Sequence, residues 1–108
     1  MAFQVAEISL QLIENLRPLV ARIRAKDKSL ADQLTRAASS VALNIGEARH
    51  SDPGNRRARL FTAAGSASEC QMALRVAVAW GYLGAEDGQA ALALRDRIRA
   101  VLWRMTRG

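Results

Sequence analysis

The stretch Ser29–Ala67 reads SLADQLTRAASSVALNIGEARHSDPGNRRARLFTAAGSA. In its first half Leu30, Leu34, Ala37, Val41, Ile45 and Ala48 recur every three or four residues, and in its second half Leu60, Ala63 and Ala67 resume that period. A repeat of about 3.6 residues places the apolar side chains along one side of an α-helix. Between the two runs, Arg49–Asn55 (RHSDPGN) breaks the pattern, and Asp52 with Pro53 has the form of an N-cap followed by a first-turn proline. Ser29, with Asp32 three residues on, has the form of a serine cap for the earlier helix. Two helices joined by a short turn are therefore expected in the middle of the chain.

The same period extends outward. Val5, Ile8, Leu12, Leu16, Leu19 and Ile23 form one row, and Ala6, Leu10, Ile13 and Val20 form a second that widens the apolar face, so this helix should touch more than one neighbour. Pro18 removes one backbone donor, but the pattern continues past it, which predicts a bend and an end near Lys26–Lys28. Beyond the central turn the row continues through Cys70, Leu74, Ala77 and Gly81, with Phe61, Met72, Val76 and Ala79 on neighbouring rows. Tyr82–Gly88 (YLGAEDG) is the next break, and Ala91, Leu94, Ile98, Val101 and Met105 mark a fourth helix. No alternating strand pattern competes. Short connections favour antiparallel neighbours, so the expected fold is all-α, an antiparallel up-down-up-down four-helix bundle, with residues 1–108 as one domain.

Of the 108 residues half are hydrophobic but only 5% are aromatic, a composition suited to close helix packing more than to a large ligand cavity. Sixteen Lys and Arg, fourteen of them Arg, stand against ten Asp and Glu, a formal charge of +6. That balance suits nucleic acid or an acidic partner, and equally a solubilising surface. One cysteine, Cys70, excludes an internal disulfide, and with the one histidine, His50, it provides too few ligands for a zinc site. No charged leader with a long apolar run opens the chain, and the apolar stretch Val76–Leu83 is too short to span a bilayer. A cytoplasmic protein with no membrane association is expected.

Catalytic constellations are not apparent. Glu47 to His50 is an unrepeated Glu-x-x-His, short of what a di-iron bundle needs, and no phosphate loop or dinucleotide fingerprint is present. Cys70 shares a row with Ala67 and Leu74, as a buried thiol does, and Ser66 and Ser68 have no histidine nearby in sequence. No enzyme activity, catalytic residue, metal or cofactor is expected. More informative are the polar centres of the two middle helices: Ser39, Ser40, Asn44 and Glu47 in one, Gly65, Ser66, Ser68, Glu69 and Gln71 in the other. A glycine inside a helix costs about 1 kcal/mol relative to alanine. Gly65 would be justified if it let backbones approach while Asn44 and Glu47 meet Ser66 and Glu69, across either an interhelical or an intersubunit contact.

Asn44–Ala48 (NIGEA), Leu60–Glu69 (LFTAAGSASE) and Ala79–Leu83 (AWGYL) carry a family resemblance. The chain resembles the bacterial four helix bundle family also called the S23 or 23S rRNA intervening-sequence protein family. Gly46 and Ala48 are exchanged relative to the common order, and Thr62 stands where an aliphatic residue is usual. The resemblance implies a ring-like homopentamer. It also implies similarity to the accessory variability determinant of diversity-generating retroelements, a basic protein that binds nucleic acid and works with a reverse transcriptase.

The candidate phosphate-binding residues fall into three groups: Arg22, Arg24, Lys26 and Lys28; Arg49, Arg56, Arg57 and Arg59; and Arg95, Arg97, Arg99, Arg104 and Arg107. Arg95 and Arg99, one helical turn apart, would form a phosphate track. Trp80, Tyr82 and Trp103 read as isolated aromatics, so binding is expected to be directed at the backbone rather than the bases. The function expected is a non-enzymatic oligomeric accessory protein for RNA or DNA, with RNA preferred. The alternative is an interaction scaffold for an acidic protein.

Overall fold

The computed structural model describes residues 2–107, with side chains from 4 to 106. Four helices occupy them, α1 (Ala2–Arg24), α2 (Lys28–Ala48), α3 (Pro53–Ala79) and α4 (Gln89–Arg107), and no strand lies among the described residues. The chain is all-α. Neighbouring pairs α1–α2, α2–α3, α3–α4 and α1–α4 close a cycle around one hydrophobic core, within a body of 42 × 22 × 19 Å.

Helix ends follow from local hydrogen bonding. Helix α1 runs through Pro18 with Leu16 and Leu19 both buried, and stops at Arg24, where the Lys26 and Asp27 amides fold back onto the Ile23 carbonyl at 2.9 and 2.7 Å. This end comes before the expected Lys26–Lys28, and it changes the next cap. Asp27, not Ser29, caps α2: it lies in extended backbone and its Oδ1 accepts the Leu30 amide at 3.0 Å. With α1 ending early, Lys28 is already helical and Ser29 sits inside the first turn. Asp52 and Pro53 start α3 as expected, with Asp52 Oδ1 accepting the Asn55 amide at 3.0 Å.

At the other end of α3 a left-handed residue is required, and Gly81 supplies it with φ of 81°. Its amide donates to the Val78 carbonyl at 2.9 Å and the Tyr82 amide to the Ala77 carbonyl at 2.8 Å, the paired bonds of a Schellman motif. Gly81 thus ends the helix rather than continuing its buried row.

The most extensive contact joins α2 and α3. Small residues flank it, Ala37 on α2 and Ala63 on α3, each one turn before the serine that faces the other helix, and Ala67 beside Ser66 is buried too. Within it the Ser66 hydroxyl donates to Ser40 Oγ at 2.7 Å. Two side chains this short can touch only if the helix backbones are close, and alanine permits that approach. Because interiors are packed with little slack, Ala67→Val should destabilise the fold by about 1–3 kcal/mol, with helix content unchanged, as read by urea unfolding. An unchanged unfolding midpoint would contradict the close packing at Ala67.

Candidate nucleic-acid interface

The four cations around the α1–α2 turn do not stand alone. Tyr82 donates its hydroxyl to Asp27 Oδ2 at 3.3 Å, and Arg22 pairs with Asp87 at 3.2 Å, which brings the α3–α4 connection beside that turn. Arg24 pairs with Asp32 at 2.8 Å. Arg22, Arg24, Lys26 and Lys28 therefore share this end with Asp27, Asp32, Asp87 and the adjacent Glu86, with Arg36 near Asp32 and Arg75 beside the α3–α4 connection. The Arg24 hydrogen bond holds the Asp32 carboxyl below its ordinary value. The Gly84 amide, and then Arg22, do the same for Asp87. At this end Arg22 and Arg24 are already paired.

At the α2–α3 turn the balance differs. Arg49, Arg56, Arg57 and Arg59 are exposed there, against Glu47 and Asp52. Asp52 is occupied as a helix cap, and the Asn55 amide and side chain hold its carboxyl low. Arg59 pairs with Glu47 at 2.8 Å. Arg57 lies over the Phe61 ring, 5.6 Å from its centroid. Ser51, Pro53, Arg56, Arg57 and Leu60 line a shallow cleft of about 350 Å³ together with Met105 and Thr106, so the last turns of α4, carrying the exposed Arg104, adjoin this end.

The expected track along α4 does not form. Arg99 is exposed, but Arg95 is only 5% exposed and joins the buried row of Ala91, Ile98 and Leu102. Its Nη2 reaches Asp96 at 3.0 Å, while Nε and Nη1 find no acceptor among the described residues. Arg95 is one turn from each of Ala91 and Ile98, and the helical period carries it inward with them. Arg97 and Arg104 are exposed, and the Arg107 side chain lies outside the described side chains.

The polar centres of α2 and α3 meet, with different partners from those expected. Asn44 Nδ2 donates to the Ser40 carbonyl and hydroxyl at 2.9 and 3.1 Å, and Ser40 accepts from Ser66. Arg59 donates to Asn44 Oδ1 at 3.4 Å and pairs with Glu47. One chain of polar contacts thus runs Ser66, Ser40, Asn44, Arg59, Glu47. Glu69 is not part of it and instead lines a groove with Gln33, Arg36 and Met72. Gly65 is exposed, and a methyl group placed there would meet nothing within 4 Å, so it plays no part in the approach of α2 to α3. Arg59 is the member that sequence spacing did not suggest.

Cys70 is buried as expected, and burial pushes its thiol up to about 11, with the Glu69 charge adding and Arg95 opposing. His50 is exposed just past the end of α2. Trp80 and Tyr82 are not isolated: their rings stack 6.5 Å apart at 18°, brought together by the Schellman turn. No helix among the described residues is long and apolar enough to cross a membrane.

The family profile described as 23S rRNA-intervening sequence protein matches residues 2–104. The chain belongs to this family. A solved structure of a Bacteroides thetaiotaomicron protein, described as having unknown function and as coming from the S23 ribosomal protein family, is similar with a TM-score of 0.88 and 20% identity. The likeness covers 96% of this chain and 99% of that one, and at this identity it speaks for the fold. No curated protein sequence matches the chain.

Two predictions follow from this family member's charge placement. Replacing a poorly partnered buried cation by an apolar side chain of similar size removes a desolvation cost, so Arg95→Met should raise stability by about 1–4 kcal/mol in urea unfolding. A loss of stability would mean that the guanidinium is satisfied. The carboxyls of Asp32, Asp52 and Asp87 are all lower in the folded state than their reference value of 3.8. Their contribution is therefore full above that value and is lost as pH falls through the lower folded values. Thermal melting should show a Tm that drops below about pH 4, with a smaller drop in Asp87→Asn. An identical acid profile for that variant would remove Asp87 from the account.

Proposed function

We propose that this family member is a non-enzymatic, cytoplasmic, oligomeric accessory protein that binds the phosphate backbone of nucleic acid at the end bearing the α2–α3 turn. One observation carries the reading: Arg56 and Arg57 are exposed beside the α2–α3 turn while the carboxylates there are engaged, Asp52 as a helix cap and Glu47 with Arg59, whereas at the α1–α2 turn Asp87 and Asp32 hold Arg22 and Arg24. Arginine binds phosphate through a fork of donors, and the salt dependence of such binding reflects the counterions released. RNA is preferred over DNA because the family takes its description from a sequence intervening in 23S rRNA.

The helices are read as an antiparallel up-down-up-down bundle. Support comes from the Tyr82–Asp27 and Arg22–Asp87 contacts at one end and the cleft shared by Ser51, Pro53, Met105 and Thr106 at the other. A homopentameric ring, implied by the family resemblance, would repeat the basic end and multiply its field. The outward side of α1 and α2 is suited to the subunit contact: Leu10 and Leu43 are 49% and 65% exposed, and Gly46 has open space where a Cβ would stand. The reading excludes thiol catalysis, since a thiol with a value near 11 is protonated at neutral pH.

Fluorescence anisotropy with RNA and DNA at two ionic strengths tests the interface. Binding should weaken about tenfold or more between low and physiological salt. Arg56→Gln combined with Arg57→Gln should weaken it and flatten the salt slope, while Arg24→Gln should not. Light scattering on the same sample should give a multiple of the 11.8 kDa subunit. Absence of binding at low salt, or undiminished binding by the double variant, would sink the nucleic-acid reading. A monomer at micromolar concentration would sink the ring.

A further inference from the structure

We propose, building on that nucleic-acid reading, that Phe61 is a stacking platform for an unpaired nucleobase, so that this end of the molecule takes single-stranded RNA or DNA in preference to duplex. Leu60 turns into the core and the next residue, Phe61, therefore turns outward, leaving a large aromatic ring 54% exposed among arginines. Its surroundings match what a base requires.

One turn before Phe61, Arg57 places its guanidinium over the ring, 5.6 Å from the centroid. That cation–π contact orients both groups and holds a phosphate-binding fork beside the ring. One turn after it comes Gly65. A helical side chain leans toward the N-terminus and covers the turn before its own Cα, so a side chain at position 65 would lie over Phe61. Glycine there adds no side chain toward the ring, and Phe61 stays 54% exposed with Arg57 over it. Ala58 and Thr62 beside it are exposed and small. The glycine that has no role in the α2–α3 contact thus has one here, as the open floor beside an aromatic face.

Bases in a duplex are already stacked on one another, whereas an unpaired base can lay its face on Phe61 while Arg56 and Arg57 hold the flanking phosphates. The α2–α3 end would accordingly read strandedness, through a single stacked base, rather than sequence. This modifies the expectation of purely backbone-directed binding drawn from the spacing of Trp80, Tyr82 and Trp103.

The test compares wild type with Phe61→Ala, Phe61→Trp and Gly65→Leu, using a short labelled single strand of RNA, the same strand as DNA, and a duplex of equal length. All three substitutions are on an exposed helix face, and circular dichroism checks that the helices persist. Phe61→Ala should lose roughly tenfold in single-strand affinity with duplex affinity unchanged, since stacking of one base is worth about that factor or more. Gly65→Leu should lose single-strand affinity in the same direction, and Phe61→Trp should keep it. Equal losses on single strand and duplex, or no loss in Phe61→Ala, would overturn the platform while leaving backbone binding in place. A fall in the mass seen by light scattering for Phe61→Ala, with binding intact, would assign the ring to a contact with a second copy and overturn it as well. Wild type that binds neither strand nor duplex would remove this proposal together with the reading it rests on.

Discussion

The separation of α2 and α3 is set by the reach of two serine hydroxyls. A bond of 2.7 Å between Ser66 and Ser40 requires the helix axes to lie closer than leucine-filled packing would allow, and the alanines around it make that separation sterically free. Once the axes are close, larger side chains are pushed to the seams with α1 and α4, where Leu12, Leu16, Ile23, Ile98 and Leu102 fill the core. The same closeness brings Arg59 on α3 within reach of Asn44 and Glu47 on α2. The polar chain from Ser66 to Glu47 therefore runs outward from the packed centre to the surface near the α2–α3 turn, and ties the orientation of the basic residues there to the packing of the bundle.

Charge placement follows a related economy. A cation beside a carboxylate contributes little to a distant anion, because the field of the pair decays faster than that of a single charge and is further screened by salt. The sixteen basic residues in the sequence are thus not equivalent at range. Arg22 and Arg24 are paired, Arg59 is committed to Glu47, and Arg95 is inside. Net charge alone could not have distinguished the two ends of the molecule. At the α1–α2 end Asp27 and Asp32 are near in sequence, but Asp87 and Glu86 come from the α3–α4 connection, far away along the chain.

That distance along the chain is also the reason the site was less legible than the fold. All four helices and the Asp52–Pro53 start of α3 could be read from periodicity and capping chemistry, which act within a turn or two. The Asp27 cap was displaced from Ser29 because either residue can accept an amide and only the end of α1 chooses between them. Arg95 was misplaced for a different reason. Its spacing from Ala91 and Ile98 put it on the apolar row all along, but its charge argued for solvent, and the period prevailed. Gly65 beside the buried Ser66, and Glu69 beside the buried Cys70, turn outward because helical geometry rotates neighbours by about 100° each.

Gly65 turns outward on α3, one turn after Phe61, and Gly46 stands in an open position on α2 near Leu43. Each leaves backbone exposed where alanine would be more stable and would fit, so neither is explained by the packing of one subunit. Around Gly46 the neighbours are Ala42 and Leu43 with Glu47, His50 and Ser51, a setting both apolar and polar; one turn before Gly65 stands Phe61, with Arg57 over its ring. Assembly beside Gly46 and ligand binding beside Phe61 can then use different helices of the bundle. On that arrangement a subunit already fixed in an assembly would still present its basic end.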